Sequence, residues 1–325
     1  QYTEIAGIPE LRSSLSTHMN KVYKGNTSLN NVLISSGCNQ AYCLTIMALA
    51  KAGDEIILPE PYYFNHLMWL EMLGIKAKLM PFKPDQNGIP NPLDVERLVT
   101  KKTKAIVLIS PNNPTGAIYP PDIITSFYEF AREKEIALII DETYKDFLGS
   151  IQPHSLFQKK QWEETFIQIY SFSKVFSLTG YRVGSIIAGE KTIQSITKIM
   201  DTLAICAPRI SQDAALFGLA NLSNWVSKKQ KIIKERCDFV QGLFQSKDIN
   251  FEVVSCGAYF AYIKHPFVEL SARQVAMKLA KQANILCLPG TFFGPNQEHF
   301  LRFAFANASI EEMTLVEERL RQYYD

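Results

Sequence analysis

The sequence predicts an α/β fold, a mostly parallel seven-stranded sheet with helices on both faces, followed by a smaller α+β unit at the C-terminus. Three observations predict it. Short apolar runs rich in Val, Ile and Leu alternate with longer stretches of helical pattern. The runs are continuously apolar rather than alternating, as strands are when helices cover both faces of a sheet. After about residue 210 the regular alternation gives way to a less ordered succession of strands and helices.

In chain order, the first strand is NVLIS (31–35), and a helix follows over 39–52. EIILP (55–59) is bounded by a charged turn and by PEPYYF, after which a helix spans 63–73. AKLMPF (77–82) and AIVLIS (105–110) are the next strands, and a helix occupies 121–134. ALIID (137–141), FIQIYS (166–171) and GSIIAG (184–189) complete the expected set, with a helix at 191–204. One long helix, with Lys and Glu on its polar face, is expected from Ser211 to Phe244. Beyond it come FEVVS, YFAYIK, a helix near 271–283, ILCLPG, FLRFAFA and a closing helix from Ser309. The expected division is a large domain over 1–210, a connecting helix over 211–245 and a small domain over 246–325.

Composition narrows the classes of function. With 34 basic and 32 acidic side chains the net charge is +2, which gives no reason to expect nucleic acid or a membrane surface as partner. Apolar runs such as LTIMALA and IALII are cut short by Lys51 and Asp141, so no membrane span is expected. No signal peptide is legible in QYTEIAGIPELR. The six cysteines, Cys38, Cys43, Cys206, Cys237, Cys256 and Cys287, form no CxxC pair and cluster with no histidine. They read as structural thiols in a reducing, cytoplasmic compartment, with no metal site.

The chemistry concentrates at strand ends, where open α/β sheets gather functional groups. SFSKVFSLTGYRVG carries Lys174, with Ser171 and Ser173 three and one residues before it and Arg182 eight residues after it. Hydroxyls and a guanidinium at those offsets suit a phosphate, and the lysine suits a Schiff base, features that pyridoxal 5′-phosphate needs together. Alone, the string is also readable as a strand-end lysine before a polar turn. SSGCNQA opens a helix at Cys38, Asn39 and Gln40, whose backbone N–H groups can meet a phosphate. In PNNPTG, prolines on both sides let the Asn113 amide be aimed rather than left mobile, though a plain turn is the commoner reading of that composition. In DETY, Asp141 follows four apolar residues, so it is expected to be partly buried and in need of a cationic partner, with a helix N-cap as the competing reading.

SGCNQA, PEPYYF, NNPTG, DETY, SFSK with its arginine, GAYF and LPGTFFG…LRFAFA follow one another in this order. This succession resembles the class I/II aminotransferases, the fold-type-I pyridoxal-phosphate enzymes, from Tyr2 to the last helix. The resemblance implies that Lys174 carries the cofactor as a Schiff base and then shuttles a proton. Bringing a free lysine from about 10.4 to about 7 takes roughly 4–5 kcal/mol of environmental bias. Asp141 would pair with the pyridine nitrogen, while Asn113 and Tyr144 would hydrogen-bond the ring 3′-oxygen. Tyr63 would stack on the ring, with Tyr62 the competing candidate. The phosphate would take Ser171, Ser173, Arg182 and the N–H groups of Cys38 and Asn39, with Tyr2 reaching it from the partner subunit of a homodimer. Arg302 would clamp the substrate α-carboxylate, against the plainer reading of a strand arginine paired with Glu298. Arg209 is a candidate selector of an acidic side chain, against a surface role at a helix start. Tyr23, Phe260 and Phe293 would instead suit an aromatic or aliphatic amino acid.

The resemblance also implies a departure: relatives carry several dozen residues before the segment that starts here, so the N-terminal arm is expected to be missing. The expected activity is transfer of an amino group between an L-amino acid and a 2-oxo acid. A carbon–sulfur β-lyase using the same residues, or a non-catalytic regulatory domain of the same fold, are the alternatives.

Overall fold

The computed structural model of the chain describes residues 2–246 and 249–322. Helix α1 (Pro9–Tyr23) leads into β1 (Val32–Ser35) and α2 (Cys38–Leu49); β2 (Glu55–Pro59), α3 (Phe64–Met72) and β3 (Lys76–Met80) follow. Next come α4 (Leu93–Glu96), β4 (Thr103–Ile109), α5 (Pro121–Glu133), β5 (Ala137–Asp141) and β6 (Phe166–Ser171). The first sheet closes with α6 (Phe172–Val175), β7 (Gly184–Ile187) and α7 (Glu190–Ala204). The remainder is α8 (Arg209–Asn221), α9 (Ser223–Leu243), β8 (Glu252–Gly257), β9 (Phe260–Lys264), α10 (Ala272–Gln282), β10 (Leu288–Pro289), β11 (Phe300–Ala304) and α11 (Ile310–Gln322).

Seven strands form the first sheet in the order β1-β7-β6-β5-β4-β2-β3, and β7 alone runs against the others. This is the mostly parallel sheet expected from unbroken apolar runs. Every residue of β1, β2 and β6 is buried, so the strands are covered on both faces. The second sheet is antiparallel, in the order β10-β11-β9-β8. It has its own core, in which Ile233 and Val240 of α9 meet Ala261, Ile263, Val275 and Leu301.

Two features differ from expectation. The single helix expected from Ser211 to Phe244 is two helices, broken at Leu222, whose N–H still closes on Gly218 O at 3.0 Å. Asn221, Ser223 and Asn224 flank the break, and such side chains compete for the backbone groups that would continue the helix. The first of the two helices packs on α1 against the large sheet, with Ala215 in that core, and the second lies with the small sheet. Helix α1 itself was not anticipated, although Leu11, Leu15, Met19 and Tyr23 recur every four residues and are all buried.

The topology brings one edge of the large sheet together. Ser35, Asp141 and Ser171 end parallel strands there, and Gly184, paired with Ser35 and Ser171, starts β7 at the same edge. A side chain at Gly184 would strike Gly37 C, Tyr170 O and Cys38 N at 2.7–2.8 Å, so only glycine lets the turn before α2 settle on this edge. The small unit docks equally closely: a Cβ on Gly257 would meet Gly116 O at 2.4 Å.

Candidate active site

A cavity of about 510 Å³ opens on that edge, between the two sheets. Its walls include Cys38, Asn39, Tyr63, Asn113, Asp141, Tyr144, Ser171, Ser173, Lys174, Arg182, Phe260 and Arg302, so one space gathers twelve residues singled out from sequence.

Lys174 sits on the single turn α6, directly after β6. Ser171 caps that turn, its Oγ accepting the N–H of Ser173 at 3.1 Å. The Lys174 Nζ lies 6.0 Å from the Tyr144 ring and 5.9 Å from the Tyr259 ring. Burial, then the positive charges of Arg302 and Arg182, hold this amine below the usual lysine value. Arg182 reaches the edge two residues before β7, in the left-handed region at φ 54°. Its Nη1 donates to Thr179 O at 2.9 Å, and its guanidinium rests against Gly37 so closely that a Cβ there would meet Nη2 at 2.3 Å. Gly37, at φ 84°, is the N-cap of α2, whose first turn presents the N–H groups of Cys38 and Asn39.

Asp141 is buried, as its position after four apolar residues predicts. Its partner is His66, whose Nε2 lies 3.3 Å from Oδ2, while Oδ1 accepts the Thr143 N–H at 3.0 Å. Burial pushes this carboxyl up, but the hydrogen bond and charge of His66, with the bonds from Thr143, hold it below the usual carboxylate range. The His66 ring stacks on Tyr42 with centroids 4.0 Å apart, and its buried Nδ1 has no partner among the described residues.

Arg302, in the middle of β11, comes from the second sheet. It donates from Nη1 to Asn113 Oδ1 at 2.9 Å, and its guanidinium lies 4.6 Å from the Phe260 ring and 5.0 Å from Phe293. Glu298 is not its partner, in contrast to the plainer reading of the sequence. The Nε of Arg302 is buried without a hydrogen-bond partner among the described residues.

Tyr63 lines the cavity at the start of α3, whereas Tyr62 is buried outside it, with its N–H bonded to Phe293 O at 2.8 Å. Four expected participants lie elsewhere, among them Phe293, which is fully buried and absent from the cavity wall. Tyr23 is buried beneath the sheet, donating to Glu142 Oε1 at 2.9 Å. Tyr2 is 78% exposed, and within one chain it reaches no wall of the cavity. Arg209 starts α8 and is paired with Asp213 at 2.9 Å with a 59% exposed side chain, again away from the cavity. Sequence reasoning missed His66, Thr143 and Tyr259. His66 had a signal, since it falls three residues after Tyr63 and so on the same face of α3.

The family described as "Aminotransferase class I and II" matches residues 1–320. A putative aminotransferase, YugH of Bacillus subtilis, is 30% identical over 328 residues, covering 99% of this chain and 83% of the relative. A (5-formylfuran-3-yl)methyl phosphate transaminase of Methanocaldococcus jannaschii is also 30% identical, over 99% of this chain and 83% of its own length. The crystal structure of an aspartate aminotransferase from Thermotoga maritima superposes with a TM-score of 0.92 at 28% identity, covering 100% of this chain and 84% of that one.

Proposed function

This chain belongs to the aminotransferase class I and II family, and we propose that it binds pyridoxal 5′-phosphate in the cavity between its sheets. It is an aminotransferase, and its relatives imply an amino acid and a 2-oxo acid as substrates. They do not favour the lyase or the regulatory domain.

The residues present fit the cofactor. Arg182, Ser171, Ser173 and the first N–H groups of α2 converge where a phosphate is recognised, in a cradle that a side chain at Gly37 would fill. Asp141 offers a buried, ionised carboxylate to a protonated ring nitrogen. The observation that carries the reading is that Lys174, Asp141 and Arg182, from three separate strand ends, face one cavity with the lysine amine held low.

Pyridoxal phosphate supplies an electron sink and carries the amino group between the two half-reactions. Lys174 Nζ would hold it, and would take and return the proton at the substrate Cα. Asp141 would keep the ring nitrogen protonated. Tyr144 and Asn113 would donate to the ring 3′-oxygen, with Asn113 offering Nδ2 because Arg302 occupies its Oδ1. Tyr63 would cover one face of the ring. Arg302, on the cavity wall, would hold the substrate carboxylate through two parallel hydrogen bonds.

The chain is further proposed to act as a cytoplasmic homodimer with shared sites. Leu203, Ile205, Ile210 and Phe217, exposed around the end of α7 and on α8, support a buried contact. There Tyr2 would reach the partner's phosphate and Arg209 the partner's substrate. The scattered cysteines, with no CxxC pair, support the reducing compartment, and among the described residues no helix is long and apolar enough to cross a membrane.

The test is to mix cofactor-loaded protein with single amino acids and follow the cofactor absorbance. Conversion to the pyridoxamine form, reversed by a 2-oxo acid, is expected. Release of ammonia and pyruvate with no oxo-acid acceptor would overturn the reading in favour of a lyase.

A further inference from the structure

We propose that Lys229 is a positioning residue for Lys174, acting on the main chain that carries the lysine rather than on its amine. The inference rests on reading Lys174 as the cofactor-bearing residue.

α6 is only four residues long, so its carbonyls have few partners within the turn. The carbonyl of Lys174 is satisfied from outside. Lys229, on α9, donates its Nζ to Lys174 O at 3.1 Å and to Ser177 Oγ at 2.6 Å. The Tyr259 hydroxyl lies 3.3 Å from the same carbonyl oxygen. Both donors belong to the second unit: α9 contributes Ile233 and Val240 to its core, and Tyr259 lies in that core at the turn between β8 and β9. The segment bearing the reactive lysine of one unit is therefore suspended from the other.

Three details make the strut specific. Ser177 sits in the left-handed region at φ 56°, which a non-glycine residue keeps only when its surroundings hold it there, and its hydroxyl is one of the two groups Lys229 grips. The Lys229 ammonium lies 4.9 Å from the Trp225 ring, one turn earlier on α9, which limits where the charge can go. Burial, and then the charge of Lys174, hold the Lys229 amine below the usual lysine value, as for an ammonium withdrawn from water to make these bonds. Misplacement of a reacting group by about 1 Å can cost about 100-fold in rate. A fixed main chain is what makes a long, flexible lysine side chain return to one place. Small-unit movement, transmitted through α9, would be felt at Lys174 through this bond.

The test uses the cofactor-loaded protein and three variants, Lys229→Met, Lys229→Arg and Ser177→Ala. Single-turnover rates with an amino acid are measured together with KM, cofactor affinity and the melting temperature. In parallel, the cofactor-free proteins are treated with acetic anhydride, and the acetylation rate of Lys174 is read by peptide mass spectrometry. Lys229→Met is expected to slow the single turnover about 10-fold. KM and cofactor affinity should stay within about twofold, and the rate of Lys174 acetylation should shift by about threefold or more. Lys229→Arg should recover most of both losses, and Ser177→Ala should lose about threefold in rate.

A Lys229→Met protein with unchanged turnover and unchanged Lys174 acetylation overturns the inference and leaves the functional reading intact. If Lys229→Met does not fold, Lys229→Arg and Ser177→Ala decide by the same two rates, and parental values in both overturn it. Failure of the reading itself is separately visible, because borohydride reduction of the unsubstituted loaded protein would then leave Lys174 unmodified.

Discussion

The guanidinium of Arg302 donates from Nη1 to the amide oxygen of Asn113 across 2.9 Å, joining an inner strand of the small sheet to the loop after β4. That bond sets which end of the Asn113 amide faces the cavity, and it fixes the arginine from the far side. Arg302→Ala removes both effects and leaves the substrate carboxylate unpaired. The expected loss is about 100-fold in kcat/KM for amino acids and 2-oxo acids alike. Arg302→Lys should remain at least about 10-fold down, because a point charge cannot make the paired hydrogen bonds. Steady-state kinetics with amino acids and with 2-oxo acids check this.

The pair between Asp141 and His66 gives a second expectation. Asp141→Asn removes the charge opposite the ring nitrogen, and kcat should fall by about 100- to 1,000-fold. His66→Phe keeps the stack on Tyr42 but removes the hydrogen bond, so its effect should be smaller, about 10-fold in kcat. Single-turnover kinetics at saturating substrate separate the two.

Gly37→Ala should act on the cofactor alone. The new Cβ would lie 2.3 Å from Arg182 Nη2 on a backbone at φ 84°, so the guanidinium must leave its cradle. A loss of about 2 kcal/mol, or about 30-fold in cofactor affinity, is expected by fluorescence titration. The fold should persist by circular dichroism.

Stability should depend on pH through His18. Burial first, and then the charge of Lys145, hold its imidazole down to about 4, from an ordinary value of 6.5. Above pH 6.5 it is neutral whether folded or unfolded. Between 6.5 and about 4 only the unfolded chain takes up the proton, so stability is lost as pH falls through that window. Lys145, Asp146 and Lys21 are the charged groups acting on it, and Asp146 alone among them favours the protonated ring. His18→Gln should flatten the fall in melting temperature between pH 6.5 and pH 4 relative to the parent.

Behind Asp141 and Tyr144, the carboxylate of Glu142 is buried with Tyr23, His154 and Gln168 as partners. Removing it as Glu142→Ala strands those groups. The expected cost is about 3 kcal/mol, seen as a melting temperature lower by about 6 °C or more. Thermal melts of the two proteins at neutral pH check it.

The large sheet was legible because each strand is an unbroken apolar run, and the expected strands at 55–59, 137–141 and 166–171 match β2, β5 and β6 to the residue. The break at Leu222 was not, because Asn and Ser there are weaker stops than Gly or Pro. Lys174, Asp141 and Arg182 stood out because each lies where a strand begins or ends at the sheet edge. His66 escaped because its role appears only when α3 is laid against β5. Lys229 escaped because its partner is a carbonyl, which no sequence pattern displays. Tyr2 and Arg209 stay outside the cavity in one chain, and the roles expected of them are proposed only for a second copy.

The most direct test of the account is chemical. Protein loaded with pyridoxal 5′-phosphate is reduced with borohydride and digested, and the modified peptide is located by mass spectrometry. The account predicts one pyridoxyl-lysine, at Lys174, lost in Lys174→Ala. A reduced adduct at another lysine, or an adduct that survives Lys174→Ala at full yield, would contradict it.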